Sequence, residues 1–397
     1  MTARTIRAHL RAMTLIAPEL ADLAALRHAL HAAPELSGAE AGTAAHLRGL
    51  LAHCAPDRIV EGLGGHGLAA IWEARAPGPT VMLRAELDAL PIAERTGLPH
   101  ASRRPGVAHL CGHDGHMTIL AGVARGLSRK PPARGRAVLL FQPAEETGAG
   151  AAAVLADPRF AAIAPDWAFA LHNLPGLARG RAALAAGPVC CASRGMRLRL
   201  TGRTAHASQP ETGVSPAPAL AALMVALPAL APPGPPPGPG FRLVTLTHAV
   251  LGAPAFGIAP GQAELWATLR SMTDSGMAAL VQEAVRLVQD SAARHGLDPE
   301  IGWHDVFAHC ENDPEAVRIM ATAALRAGLT PDPDPLPMRF SEDFGRFGAG
   351  ARAALLMLGA GEDHPPLHDE RYDFPDALIG PGVRLFEGVL EALLGAG

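Results

Sequence analysis

Apolar residues recur at helical spacing early in the chain. Leu20, Leu23, Leu26 and Leu30 fall on one face, and Pro34 stops the run. The segments "GLAAIWEA" (67–74) and "TVMLRAELDALP" (80–91) read as short strands, with a polar loop after the second. "MTILAGVARGL" (117–127) has helical periodicity, and "RAVLLFQPAEE" (136–146) is a buried-type strand that runs straight into two acids. "DWAFALHNLPG" (166–176) reads as a further strand, ending in His172. Strands alternating with helices predict βαβ units: an α/β fold with a mostly parallel sheet flanked by helices. The polar residues lie just past the strand ends, where open α/β sheets place their ligands.

Near residue 188 the pattern changes. "MRLRLTG" alternates strictly, with Met196, Leu198 and Leu200 on one face. An Ala/Leu helix after Pro216 follows, then the strands "FRLVTLTHAV" and "AELWATLR", then a long amphipathic helix from about Met277 to Arg294. This predicts a smaller α+β layer whose sheet has one face solvated or paired to a partner. The stiff, donor-poor stretch "APPGPPPGPG" (231–240) inside it reads as a surface connector. After about residue 304 the α/β texture returns. The expected organisation is one discontinuous α/β domain, 1–187 with 304–397, interrupted by a smaller α+β domain at 188–303. No internal repeat is visible.

A length of 397 residues supports two domains. No run of about 18 apolar residues appears, so no membrane span is expected. The N-terminus "MTARTIRAHLRAMTLIAPEL" never becomes a continuous apolar core and reads as the start of a helical region, not a signal peptide. A formal charge of −4 without a basic stripe offers nucleic acid no electrostatic footprint. Five cysteines, odd in number and without a framework, argue against a disulfide scaffold and for the reducing cytoplasm. Four of them are expected to be buried hydrophobes, and Cys111 stands apart because of its company.

That company is "HLCGHDGH" (109–116), the first of four polar clusters; the others are "PAEE", "LHN" and "LHDE". Each follows an apolar segment. Together they offer Cys111, His113, Glu145, Glu146, His172 and His368, the donor palette of a two-metal hydrolytic site. A thiolate can bridge two cations, and of two adjacent acids one can bind metal while the other serves as general base. Taken singly, each cluster has a plainer reading. A histidine after a strand is more often a hydrogen-bonded structural residue. Paired acids at a helix start simply suit the macrodipole. "LHDE" alone is a solvated loop. The weight lies in four clusters at predicted strand-to-helix junctions. A cysteine hydrolase built on Cys111 and a histidine would leave Glu145, Glu146, His172 and His368 unexplained.

The chain also resembles the aminoacylase/carboxypeptidase metallopeptidase superfamily. It is most similar to the amidohydrolase branch containing hippurate hydrolases, bacterial N-acyl-amino-acid deacylases and plant indole-acetyl-amino-acid hydrolases. The matching text is "RHALHAAPELSGAE", "LRAELDALPI", "HLCGHDGHMTIL", "FQPAEE", "LHNLPG", "GRTAHASQP", "SEDFG" and "LHDERYDF", in family order over nearly the whole chain. The resemblance implies a catalytic domain with two divalent metal ions, an inserted dimerisation domain and a homodimer. It implies Cys111 (bridging), His113, Glu146, His172 and His368 as ligands, and Glu145 as the base that activates a water and then protonates the leaving amine. It points to His206, in the inserted domain, as a residue reaching a neighbouring active site to polarise the scissile carbonyl. Manganese and zinc suit these donors, as do cobalt and nickel. The substrate expected is a small N-acyl-amino acid. A dipeptidase or carboxypeptidase of the same superfamily, and a catalytically silent binding relative, are the alternatives. Asp88 and Asp114 are candidates to orient ligand histidines, and Glu342 is a further candidate supporting or substrate-binding acid.

Three departures from the family text stand out. Glu86 replaces the usual Asp of the second-strand motif. Gly257, in "GIAP", replaces an asparagine that helps hold the substrate carboxylate, a loss for which backbone N–H groups or Arg270 are the candidate compensation. Phe340 precedes "SEDFG" where a small residue is common, and it would reshape the acyl pocket.

Overall fold

A computed structural model describes residues 17–231, 238 and 240–395. The N-terminal stretch 1–16, read as the start of a helical region, and most of the proline-rich connector lie outside the described residues. The chain divides into two compact units. The larger comprises residues 1–189, 311–336 and 343–397; the smaller comprises 190–310 and 337–342.

The larger unit is built on an eight-stranded sheet. Its order is Arg58–Leu63, Gly67–Glu73, Arg134–Gln142, Ala76–Glu86, Trp167–Pro175, Arg352–Gly361, Arg181–Ala183 and Thr330–Asp332. The four central strands, from Arg134–Gln142 to Arg352–Gly361, run parallel. Antiparallel pairings occur on either side of them. The central strands are continuous apolar runs (Val81–Leu83, Ala137–Phe141, Ala353–Leu358) because helices cover both faces of a parallel sheet. Helices Ala17–His31, His113–Arg129, Pro314–Arg326 and Ile379–Leu394 supply apolar stripes to the same core. Glycines let two of them approach closely: a Cβ at Gly122 would stand 2.5 Å from Val383, and one at Gly382 would stand 2.5 Å from Ile119.

The smaller unit has a four-stranded antiparallel sheet, ordered Arg242–Leu251, Gln262–Ser271, Ala192–Thr201 and Asp298–Phe307. Period-two alternation sorts its faces. Met196, Leu198, Leu200, Leu265, Ala267 and Leu269 are buried with the helices Ala217–Ala229 and Asp274–His295. The other face carries Arg197, Arg199, Glu264 and Trp266. Helix Asp274–His295 is capped at one end by the Thr273 hydroxyl, which accepts from Gly276 N–H, and at the other by Gly296 in the left-handed region. The strand Asp298–Phe307 pairs with Ala192–Thr201 and so runs through the boundary expected at 303.

Candidate metal centre

Four stretches of the larger unit bring donor atoms to one cluster, buried except at His368. Gly112, with φ 100°, turns the chain into helix His113–Arg129. A Cβ there would lie 2.1 Å from Asn173 Oδ1, so glycine lets Cys111 and His113 pack against the neighbouring strand. Strand Arg134–Gln142 leads through a left-handed Ala144 (φ 51°) into Glu145 and Glu146. His368 sits in a turn with φ 68°, its N–H bonded to Leu110 O at 2.8 Å. His172 differs from expectation. It lies within strand Trp167–Pro175, not at its end, and the parallel pairing with Arg352–Gly361 continues past it.

The donors group around Cys111. Its Sγ is 3.5 Å from His172 Nε2. Donor atoms of Cys111, His113 and His172 lie within 4.8 Å of one another, and so do those of Cys111, Glu146 and His368. His368 Nε2 is 3.6 Å from Glu146 Oε2, and His113 Nε2 is 3.9 Å from Glu146 Oε1. Glu145 stands beside both groups, its Oε2 3.8 Å from His113 Nε2.

Backbone acceptors fix the tautomers. His113 Nδ1 donates to Asp88 O at 2.9 Å, and His172 Nδ1 donates to Asn173 O at 2.8 Å. The Nε2 atoms therefore face the cluster. His113 Nε2 is buried without a hydrogen-bond partner among the described residues, a costly arrangement unless something occupies the space before it. Burial lowers His172 to about 3 and keeps it neutral, as a ligand must be. Burial, then the charges of Glu146 and Glu145, push the Cys111 thiol well above its usual range; a bound cation is what would deprotonate it. Burial alone would lower His113, but the Asp88 carboxylate, 3.6 Å from Nδ1, and the charges of Glu86 and Glu146 hold it at about 10. The same carboxylates would hold a cation where that proton sits. This donor set fits two metal ions.

Glu86, His113 and His116 also offer atoms within 4.8 Å. His116 is already engaged at both nitrogens, by Glu86 Oε2 and Asn173 Oδ1 at 2.7 Å each, so it supports the cluster. Asn173 Nδ2 donates to Tyr372 Oη at 2.6 Å. Arg84, fully buried, bonds Glu86 and, at 2.5 Å, Asp343.

The two candidate orienting acids part company. Asp88 serves His113 chiefly through its main-chain oxygen, while its carboxylate accepts from Ser37 Oγ (2.6 Å) and Glu146 N (3.0 Å). Asp114 orients no histidine of the cluster. Its carboxylate accepts from His31 Nδ1 at 2.9 Å and Arg27 Nη1 at 3.1 Å. The reason is helical geometry: one residue past His113, the side chain points some 100° away around the axis. Arg27 also reaches Asp373 at 2.7 Å and Asp376 at 2.5 Å. Sequence reasoning missed this buried network. The signal was present, because Arg27 and His31 occupy core-facing positions of the Leu23–Leu30 helix. His206, Arg270 and Glu342 belong to the smaller unit. There His206 is exposed, in a two-residue strand paired with Ile258–Ala259. Arg270 donates to Arg339 O and Ser341 Oγ, and Glu342 is buried.

A family model described as peptidase family M20/M25/M40 matches residues 82–392. N-acetyl-L-cysteine deacetylase of Bacillus subtilis is 30% identical over 374 residues, covering 94% of this chain and 88% of its own. Hippurate hydrolase of Campylobacter jejuni is 30% identical over 373 residues, covering 92% and 96%. The crystal structure of a dinuclear metal binding peptidase of the M20 family from Bacillus subtilis superposes with a TM-score of 0.78 at 25% identity, covering 94% and 97%. The matched span takes in every donor of the cluster from Cys111 to His368, and the chain belongs to peptidase family M20/M25/M40 as a metal-dependent hydrolase.

Proposed function

We propose that the protein hydrolyses the amide bond of N-acyl-amino acids, giving a carboxylic acid and a free amino acid. One observation carries this reading: Cys111 is common to two donor triads, and Glu145, which also groups with His113 and Glu146, is left over once those triads are filled. Cys111, His113 and His172 would hold one ion, Cys111, Glu146 and His368 the other, with Cys111 shared. Two divalent ions in that place supply Lewis acidity and bring a water's pKa toward neutrality. Glu145 takes the proton of the attacking water and returns it to the amine nitrogen as the C–N bond breaks. Asp88 and Asn173 hold the His113 and His172 rings in the tautomer that presents Nε2. Manganese or zinc is the metal proposed, with cobalt or nickel able to substitute. The names of the deacetylase and hippurate hydrolase relatives support the substrate class.

The smaller unit is proposed as an inserted dimerisation domain. Its helix Ala217–Ala229 exposes Met224 and Val225, and its edge strand Arg242–Leu251 exposes Val250 and Leu251. An unpaired edge beside exposed apolar side chains suits a second copy of the chain. His206, exposed in this unit, would serve the partner's site by polarising the scissile carbonyl. None of the five cysteines, all buried, is in a disulfide, which accords with the cytoplasm. No helix among the described residues is long and apolar enough to cross a membrane.

The test is free-amine release by manganese-loaded protein. The panel holds N-acetyl, N-benzoyl and indole-acetyl amino acids, their counterparts lacking the α-carboxylate, and dipeptides. Turnover of the N-acyl-amino acids above the other two groups is the expected outcome. Preference for dipeptides, or no turnover in any lane, overturns the assignment.

A further inference from the structure

The text "RHALHAAPELSGAE" contributes no metal donor, yet its side chains reach three of the segments that do. Leu36 bridges Ala89 in parallel, with Ala89 N bonded to Glu35 O at 2.8 Å, so the segment runs alongside the Asp88 loop. From there Ser37 Oγ grips the Asp88 carboxylate at 2.6 Å, and the same oxygen accepts from Glu146 N at 3.0 Å. Arg27 and His31 grip Asp114, the neighbour of His113. Glu40 is the innermost member. It is fully buried, and its Oε1 accepts from Gly38 N and from Ala144 N, each at 2.8 Å.

The Ala144 bond bears on the chemistry. Ala144 has φ 51°, a left-handed conformation that an alanine adopts only against steric cost. That single residue turns the chain off the end of strand Arg134–Gln142 and aims the Glu145–Glu146 pair at the cluster. A strained conformation persists only where its surroundings over-determine it. Three bonds do so here: Ala144 N–H to Glu40, and onto Ala144 O the Gly150 N–H at 3.0 Å and the Thr147 hydroxyl at 3.2 Å. Glu40 lies more than one hundred residues upstream, in a different element, and it reaches the turn directly. A carboxyl oxygen supplies the acceptor whether the group is ionised or not.

We propose that Glu40 is a positioning residue for Glu145: its buried carboxyl locks the left-handed turn at Ala144 and so sets where the base stands. The proposal rests on the reading of Glu145 as base. Misplacing a general base by about an ångström lowers turnover on the order of a hundredfold while leaving substrate affinity largely alone.

The experiment compares Glu40→Ala, Glu40→Gln, Glu40→Ala with Ala144→Gly, and Glu145→Gln. Each is loaded with manganese and read for kcat, KM, bound metal and melting temperature. Glu40→Ala should lose about a hundredfold in kcat, with KM and metal content within about threefold of wild type. Glu40→Gln keeps the Oε1 acceptor and should recover to within about fivefold of wild type. Adding Ala144→Gly to Glu40→Ala should restore about tenfold, because glycine takes the left-handed φ without strain. An unchanged kcat in Glu40→Ala overturns the proposal. So does an equal loss in Glu40→Gln and Glu40→Ala that Ala144→Gly does not relieve. If Glu40→Ala does not fold, Ala144→Val reads the same relationship with Glu40 intact: a β-branched residue refuses the turn, and wild-type kcat in that variant also overturns it. Glu145→Gln separates the two readings. If it stays active, the assignment of the base fails; if it is inactive while Glu40→Ala is fully active, only the positioning role fails.

Discussion

His113 donates its Nδ1 proton to the main-chain oxygen of Asp88 at 2.9 Å. The acceptor is backbone, so no side-chain substitution at 88 deletes it. The Asp88 carboxylate lies farther from that nitrogen, at 3.6 Å, and its short bonds are to Glu146 N and Ser37 Oγ. Asp88→Ala should therefore keep the His113 tautomer yet loosen Glu146, weakening metal affinity by about 10–100-fold. His113→Ala should abolish binding at the ion it serves. Competition with a chelating dye reads both, and equal losses in the two variants would contradict this separation.

Glu145→Gln removes the proton carrier without removing a donor from either triad. Turnover should fall by about a hundred- to ten-thousand-fold, within the range for loss of general acid–base catalysis. Bound metal, measured by elemental analysis, should stay at the wild-type ratio. Loss of one ion would instead make Glu145 a ligand.

Arg84 is fully buried between Glu86 and Asp343. Arg84→Met strands both carboxylates in the sheet core and should destabilise the protein by about 3–5 kcal/mol. Denaturant unfolding checks this. A loss below about 1 kcal/mol would mean that the pair is better solvated than its burial indicates.

His31 and Glu94 give the stability a pH shape. Burial would lower His31, but hydrogen bonds to Asp114 and Glu94 raise it from 6.5 to about 10. The stabilisation from its charged form is complete below pH 6.5 and is lost as pH climbs through 10. Burial would raise Glu94, but its bond to His31 and those to Ser102 and Thr96 hold it at about 2 against a usual 4.5. Its contribution is present above pH 4.5 and disappears as pH falls toward 2. The joint contribution of this pair to the urea midpoint of metal-free protein should be greatest between pH 4.5 and 6.5 and decline on both sides. In His31→Gln the alkaline decline should flatten. An unchanged alkaline limb in that variant would remove His31 as its cause.

Val225 is 76% exposed on the helix proposed to meet a second copy. Val225→Glu should convert a dimer into monomers on light scattering and, if His206 serves the partner's site, lower turnover with it. A dimer that persists would place the interface elsewhere.

A Cβ at Gly257 would meet nothing within 4 Å, and its backbone lies outside the left-handed region. Gly257→Asn should thus fold normally and supply the side-chain amide that the resemblance expects at this position. The expected result is a KM for N-acyl-amino acids lower by about tenfold, worth roughly one hydrogen bond to a charged group. An unchanged KM would show that the acid is already held by other groups.

By itself the sequence determined the two textures of the chain, the parallel sheet and the donor text. Burial on both faces leaves continuous apolar runs such as "AVLLF", and burial on one face leaves alternation such as "MRLRL"; both periods are local and survive in one dimension. The types Cys111, His113, Glu146, His172 and His368 were legible for the same reason, since each is the polar interruption of an apolar segment. What only the tertiary structure decided were the partners of those side chains. Nothing local says that Asp114 faces Arg27 while His113 beside it faces Asp88, or that Glu40 reaches Ala144. Those pairings join residues tens to hundreds of positions apart. They follow from how strands and helices stack, which a linear pattern of polar and apolar positions does not encode.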